Sequence, residues 1–205
     1  MARRSVNVGL VGYKFMGKAH SFGFKNAAAM FPEIEAVPVM KAICGRDGGA
    51  VKAAMEQYGW ESFETDYRRL VARDDIDLVD ISTGNNMHAE IAIAAAEAGK
   101  HVFVEKPLAE SFGHGKEMVE CALSMGKVLH VGHSEVFNPA FKALTLHSPR
   151  PRFMEIHRLA PFSPRGTDVS VVFDLMIHDL HLIERLVGWE LPVLESIAAV
   201  GVPVI

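Results

Sequence analysis

The sequence has few of the features that mark membrane, secreted or nucleic-acid-binding proteins. No apolar run approaches the length of a membrane-spanning helix, and no signal peptide is evident behind the charged residues 1–5. The two cysteines, Cys44 and Cys121, lie in unrelated segments, which favours small buried side chains and a reducing cytoplasm. The net charge is -4 with both signs well mixed, so no basic face for nucleic acid is evident. We therefore expect a cytoplasmic protein with neither a membrane nor a nucleic-acid partner.

Short apolar segments alternate with amphipathic ones through the first two thirds of the chain. With 205 residues, 49% of them hydrophobic, the chain can form one domain and part of another. The repeated order of strand, loop, helix, glycine and strand predicts βαβ units with parallel pairing. We therefore predict the α/β class, with a doubly wound, Rossmann-like parallel sheet over residues 1–132. Its predicted strands lie in 6–12, 37–44, 77–82, 99–107 and 127–132.

The pattern changes beyond Pro149. Residues 152–159 alternate between apolar and polar side chains, which predicts an antiparallel strand. A helix is predicted over 169–187, ended by a glycine, and a further strand over 196–205. These elements predict an α+β domain with an antiparallel sheet over residues 133–205.

The first predicted strand leads into a glycine-containing turn and a helix. Gly12-x-Lys14-x-x-Gly17 is a dinucleotide fingerprint in which lysine replaces the middle glycine. Amides at the start of such a helix can bind a pyrophosphate, so we interpret Gly12, Lys14, Phe15 and Met16 as cofactor-binding. Lys14 can either displace the cofactor outward or pair with a phosphate. A tight turn with no ligand would explain the motif almost as well.

The second strand ends at Cys44-Gly45-Arg46-Asp47, where a site that prefers NAD would carry a carboxylate for the ribose hydroxyls. Arg46 can instead pair with a 2′-phosphate, which favours NADP over NAD. In a second interpretation Arg46 is a solvated loop residue and Asp47 caps the next helix. The two roles are compatible.

The segment from Gly99 to Pro107 places chemistry at a strand end. An alanine-rich helix stops at Gly99, a buried strand follows, and proline ends that strand after Glu105 and Lys106. Ligands of open parallel sheets bind beyond the carboxyl ends of the strands, so both side chains lie where a ligand is expected. A surface salt bridge is the alternative.

Two further groups of polar residues are candidates for a functional site. The loop from Thr83 to His88 leads into a helix at the same sheet edge, with His88 in its first turn. A lone histidine at the start of a helix is more often a hydrogen-bonding residue than a catalyst. On the 169–187 helix, Asp174, His178 and His181 occupy positions i, i+4 and i+7 of one face.

Taken together, these segments resemble the glucose-fructose oxidoreductase/inositol dehydrogenase (Gfo/Idh/MocA) family along essentially the whole chain. In the second half, residues 131–140 and 158–168 most resemble members of the UDP-N-acetylglucosamine 3-dehydrogenase type, which act on nucleotide-linked amino sugars. The matching segments are Gly12 to His20, Asp77 to His88, Gly99 to Pro107 and Asp174-x-x-x-His178.

The resemblance implies hydride transfer between a sugar ring carbon and the nicotinamide C4 of NAD or NADP. Lys106 and His178 would then flank the reacting hydroxyl as an acid-base pair, with Asp174 orienting His178. Glu105 would hold a cofactor ribose. Residues 1–132 would form the NAD(P)-binding domain and residues 133–205 an incomplete domain for substrate binding and dimerisation, so a homo-oligomer is expected. The residues implied to line the nicotinamide side are Thr83, Asn85 and His88.

Four departures from the family pattern leave other functions open: Lys14, Gly84, Val136 and His181. The carboxyl-terminal sheet is also expected to be cut short. Lys14 and this truncation favour a non-catalytic NAD(P)-binding regulator. A metal-dependent hydrolase is the other alternative, because the helical spacing suits a divalent ion at Asp174, His178 and His181.

Overall fold

A computed structural model describes residues 3–147, 151, 153–158 and 170–187. The chain separates into two compact units, Met1–Gly132 and His133–Ile205. The cofactor-binding and substrate-binding roles assigned to these two parts of the sequence stay predictions.

The first unit contains a six-stranded sheet in which every pair of neighbouring strands is parallel. The strand order is β3-β2-β1-β4-β5-β6, so the direction of winding reverses between β1 and β4. This arrangement confirms the predicted doubly wound α/β fold and creates the switch point at which such sheets bind ligands. The strands are β1 (Arg4–Val11), β2 (Ala36–Cys44), β3 (Ser62–Glu64), β4 (Leu78–Ile81), β5 (His101–Glu105) and β6 (Leu129–Gly132).

Five helices connect these strands, and polar side chains cap three of them. Asp47, Asp66 and Ser111 each accept a hydrogen bond from a backbone amide of the first turn that follows. The helices are α1 (Phe15–Met30), α2 (Gly48–Tyr58), α3 (Tyr67–Val71), α4 (His88–Glu97) and α5 (Phe112–Ser124). Helices α1, α2 and α4 confirm the helices predicted after the glycine turn, after Asp47 and before Gly99.

Each face of the sheet has its own apolar core, since successive side chains of a strand point to opposite faces. Val79 and Ile81 of β4 and Val102 and Val104 of β5 pack in one cluster with buried residues of α4 and α5. The other cluster contains Val8, Leu10 and Ile43 with the buried side of α2. By the same alternation, the intervening residues of β4 and β5 point away from the α4–α5 core.

The described part of the second unit contains two α-helices, each with a helical turn before it. A 3₁₀ turn (Ser134–Phe137) precedes α6 (Pro139–Leu146), which begins with proline and is capped by Asn138. A π-helical turn over Val172–Met176 leads into α7 (Ile177–Val187).

The predicted strand over 152–159 is wrong for its described part, because residues 153–158 adopt no regular structure. Alternation alone does not make a strand, which also needs a hydrogen-bonding neighbour. Arg158 instead forms an ion pair with Asp179 of α7, at 2.7 Å between Nη2 and Oδ1. The predicted strand at 196–205 lies outside the described residues. In the part of the chain that the structure describes, no helix combines the length and apolar composition needed to cross a membrane.

Candidate cofactor site at the switch point of the sheet

The turn between β1 and α1 depends on the two outer glycines of the fingerprint. Gly12 has a φ of +106°, and a Cβ atom placed there would collide with the carbonyl oxygen of Ser82. A Cβ atom at Gly17 would collide with the carbonyl oxygen of Gly12. The end of β1, the segment after β4 and the first turn of α1 therefore approach one another more closely than any side chain permits. Such a cradle, at a helix N-terminus, fits a dinucleotide phosphate.

The middle of the fingerprint faces solvent. Lys14 is the exposed N-cap residue of α1, and its carbonyl accepts a bond from the amide of Lys18 at 2.8 Å. Phe15 is exposed and Met16 half-buried in the first turn of α1. The lysine side chain therefore extends from the fold at the place where a phosphate is expected.

Tyr13 is a feature of this turn that the sequence interpretation missed. A Cβ atom at Gly45 would collide with the Tyr13 ring, so the ring lies directly on the backbone that follows β2. Arg46 is exposed next to that glycine, and Asp47 accepts a 3.0 Å hydrogen bond from the amide of Ala50. The capping role of Asp47 is confirmed, and Arg46 stays available for a 2′-phosphate. No sequence pattern signals the contact between Tyr13 and Gly45.

The loop after β4 carries the predicted nicotinamide side. Thr83 is half-buried, and its hydroxyl donates to the carbonyl of Gly84 at 3.2 Å. Asn85 begins a 3₁₀ turn that runs directly into α4. His88 is fully buried at the start of α4, where its Nδ1–H donates to the carbonyl of Pro107 at 2.9 Å. This is the hydrogen-bonding role of a lone histidine, and any cofactor contact of His88 stays a prediction.

Burial lowers the pKa of His88 below its usual 6.5, against the raising effect of the Pro107 carbonyl. A neutral ring is therefore favoured, with its proton on the nitrogen that faces Pro107. His88 thus connects the start of α4 to the segment immediately after Lys106.

Glu105 and Lys106 lie at the carboxyl end of β5, as predicted. Glu105 Oε1 is 3.0 Å from His20 Nε2, and Oε2 accepts the backbone amide of Lys106 at 3.2 Å. Lys106 is half-buried, and its peptide bond to Pro107 is cis. The proposed contact of Glu105 with a cofactor ribose stays a prediction.

His20 and Asp80 form a buried charge pair that the sequence interpretation also missed. His20 Nδ1 lies 2.8 Å from Asp80 Oδ2, and the Ser82 hydroxyl donates to Asp80 Oδ1 at 3.2 Å. Burial opposes a charge on His20, but its hydrogen bonds to Asp80 and Glu105 outweigh burial and raise its pKa to about 10. Burial also raises the pKa of Asp80, against the effect of His20. The signal in the sequence was a carboxylate inside the apolar segment Leu-Val-Asp-Ile, which requires a buried partner.

The remaining candidates lie in the second unit. Asp174 falls in the π-helical turn and His178 in the first turn of α7, and both are half-buried. His181 packs against His133, with ring centroids 4.4 Å apart, and burial lowers its pKa. Over the described ranges of the chain, no three His, Cys, Asp or Glu residues are grouped as metal ligands, so the hydrolase alternative is not favoured. The roles of Asp174 and His178 stay predictions.

Comparison with known proteins identifies the same family that the sequence motifs resemble. Residues 6–133 match the family model GFO_IDH_MocA, described as an oxidoreductase family with an NAD-binding Rossmann fold. Levoglucosan dehydrogenase of Pseudarthrobacter phenanthrenivorans is 41% identical over 135 residues, which are 66% of this chain and 34% of that protein. UDP-N-acetylglucosamine 3-dehydrogenase of Acidithiobacillus ferrooxidans is 39% identical over 129 residues, 62% of this chain and 40% of that protein.

A solved structure extends the likeness into the second unit. Levoglucosan dehydrogenase in complex with NADH and L-sorbose superposes with a TM-score of 0.79 and 32% identity, covering 90% of this chain and 54% of that one. The chain thus spans between about a third and about half of the length of these relatives. With its parallel sheet, its glycine turn and the matched residues 6–133, the chain belongs to the Gfo/Idh/MocA family of oxidoreductases with an NAD-binding Rossmann fold.

Proposed function

We propose that the protein is an NAD(P)-dependent dehydrogenase that transfers a hydride between a ring carbinol carbon of a sugar or nucleotide sugar and nicotinamide. The observation that carries the proposal is the position of Lys106 at the carboxyl end of β5, in the same sheet as the glycine turn at the switch point. The relatives named above are dehydrogenases of an anhydrosugar and of a nucleotide sugar, which supports this substrate class.

The cofactor supplies the carbon that accepts or returns the hydride, and the chain supplies binding and proton transfer. The collision that any Cβ atom would cause at Gly12 or Gly17 supports a close backbone approach of the phosphates to this turn. Lys14, which is exposed at the start of α1, is proposed to neutralise a phosphate, and Phe15 and Met16 are the proposed cofactor contacts next to it. Thr83, Asn85 and Glu105 are the proposed contacts for the nicotinamide half, and the buried His88 is proposed to hold the backbone after Lys106 through its bond to Pro107.

Acid-base chemistry is assigned to Lys106 and His178. Loss of hydride from a carbinol carbon leaves a carbonyl, so the hydroxyl proton must leave in the same reaction. One of the two side chains takes that proton and the other stabilises the developing charge on oxygen, while Asp174 orients His178. The return reaction delivers the proton to the carbonyl oxygen.

The choice between NAD and NADP depends on Arg46. Its exposed guanidinium follows β2, where the adenosine ribose is expected, and guanidinium pairs well with a 2′-phosphate. We therefore propose NADP ahead of NAD, although a relative was solved with NADH. A homo-oligomer stays a prediction.

The test is turnover by the purified chain with NAD⁺ and NADP⁺ against anhydrosugars, inositols and nucleotide-linked amino sugars, followed by nicotinamide absorbance. Lys106→Met should lower kcat at least about a hundredfold, because general acid-base groups contribute on that order. Lys116→Met, which removes an exposed lysine of α5, is the matched control and should leave kcat unchanged. Tight cofactor binding with no turnover of any sugar would instead support the non-catalytic regulator.

A further inference from the structure

The ring of His20 is enclosed by acceptors on both sides. Nδ1 lies 2.8 Å from Asp80 Oδ2, and Nε2 lies 3.0 Å from Glu105 Oε1. A neutral imidazole carries one N–H, so it can donate to only one of two carboxylates and would turn a lone pair towards the other. An imidazolium donates to both. The geometry therefore matches a positive ring shared by two carboxylates.

The three side chains are also removed from solvent. Asp80 is 0% exposed, Glu105 12% and His20 14%. A carboxylate in such a position is costly unless an opposite charge and hydrogen bonds satisfy it. His20 supplies both to Asp80, and the Ser82 hydroxyl supplies a further bond. The arrangement is a closed network with a defined partner for each nitrogen of the ring.

The surroundings hold the ring and the Glu105 carboxylate in place. The Phe103 ring lies against His20, with centroids 5.5 Å apart and an interplanar angle of 59°, and it also stacks on His130. Gly132 of β6 leaves room for the carboxylate, because a Cβ atom there would come within 2.9 Å of Glu105 Oε1. Helix α1 is thereby joined to the ends of β4 and β5.

This network reaches Lys106 through one residue. Glu105 uses Oε1 for His20 and Oε2 for the backbone amide of Lys106. A carboxylate fixed at both oxygens fixes the backbone from which the Lys106 side chain starts. We propose that His20 is a positioning residue, whose imidazolium bridges Asp80 and Glu105 and thereby sets the placement of Lys106 for proton transfer.

The proposal rests on the proposed dehydrogenase function, and its first test does not need activity. Two-bond ¹⁵N–¹H correlation of the labelled protein, with His20→Gln for assignment, reports the state of the ring. We expect both nitrogens of His20 to be protonated at about pH 8, where an unperturbed histidine is neutral. A single-tautomer neutral ring, with the proton held instead by Asp80, would overturn the proposal.

The second test separates positioning from a merely structural role. His20→Gln keeps a donor for only one of the two carboxylates, so one charge-assisted hydrogen bond is lost. We therefore expect kcat to fall about tenfold, while the KM for the cofactor changes less than about threefold. In His20→Ala, added imidazole should restore part of kcat. His114→Gln, which replaces an exposed histidine of α5 outside this network, is the matched control and should leave kcat unchanged.

The outcomes distinguish this inference from the proposed function. If the wild-type chain turns over no sugar, the dehydrogenase proposal fails and the positioning role fails with it, while the ¹⁵N spectrum still reports whether the ring is charged. If the wild type is active and folded His20→Gln keeps its full kcat, only the positioning role is overturned.

Discussion

The imidazole of His20 lies 2.8 Å from the carboxylate of Asp80, although sixty positions separate the two residues in the chain. The pair joins the second turn of α1 to the middle of the sheet, at a point where neighbouring residues of β4 are packed in the apolar core. Because Asp80 has no access to solvent, its charge is compensated within the protein or not at all. The stability of the first unit should therefore depend on the protonation of His20.

We predict that this dependence appears as a loss of stability in alkali. The pKa of His20 rises from 6.5 to about 10 on folding, so the imidazolium stabilises the fold fully below pH 6.5 and loses its effect as the pH rises through about 10. The free energy of unfolding should fall by on the order of 5 kcal/mol across that window. Urea unfolding curves at several pH values would measure it, with His20→Gln as the reference that lacks the slope. Parallel slopes in the two proteins would contradict the prediction.

His88 should show the opposite dependence. Burial lowers its pKa on folding, so the neutral ring contributes stability above pH 6.5, and that contribution is lost as the pH falls below 6.5 towards the folded value. We expect wild-type protein to lose stability below pH 6.5 more steeply than His88→Gln. At neutral pH, His88→Ala should cost about 2–4 kcal/mol, since it leaves a cavity and an unpaired Pro107 carbonyl. Thermal unfolding of the three proteins at two pH values would check both statements.

Much of the first unit could be predicted because its signals are local. Gly99 ends α4 in the left-handed conformation, Asp47 caps α2, and the apolar segments between such signals became strands of one parallel sheet. Strand β3, by contrast, has three residues that include a serine and a glutamate, and its short polar sequence carried no signal. It forms by pairing with β2 at the edge of the sheet, which is a contact between separate segments of the chain.

The rest could not be predicted because it depends on contacts between distant parts of the chain. His20 meets Glu105 across eighty-five positions, and only the register of β4 with β5 places Asp80 next to Phe103 beneath the same helix. The alternation over 152–159 predicted a strand, but alternation gives no information on whether a neighbouring strand is present to pair with it. The π-helical turn that contains Asp174 could not be predicted either, because the helical spacing was read with the 3.6 residues per turn of an α-helix.

The glycines of α1 provide a matched pair of substitutions. Gly17→Ala should destabilise the protein by about 2–4 kcal/mol and weaken cofactor binding, because its methyl group collides with the Gly12 carbonyl and opens the turn. Gly23, six residues later in the same helix, has nothing within 4 Å of its missing Cβ atom. Gly23→Ala should therefore stabilise the helix by about 0.5–1 kcal/mol. Unfolding curves and NADPH fluorescence titrations of both variants would test this, and equal effects at the two positions would rule out the proposed role of the turn.

Arg46 and Lys14 should contribute differently to cofactor binding. Arg46 is assigned to the 2′-phosphate, which only NADPH carries, so Arg46→Ala should weaken NADPH about tenfold or more and leave NADH nearly unchanged. Lys14 is assigned to the pyrophosphate that both cofactors share, so Lys14→Gly should change the affinity for both by a similar factor. Lys52→Ala, which removes an exposed charge from α2, controls for the general loss of positive charge. Fluorescence titrations with both cofactors at two salt concentrations would separate these effects. An unchanged ratio of the two affinities in Arg46→Ala would remove the phosphate role of Arg46, and with it the preference for NADP.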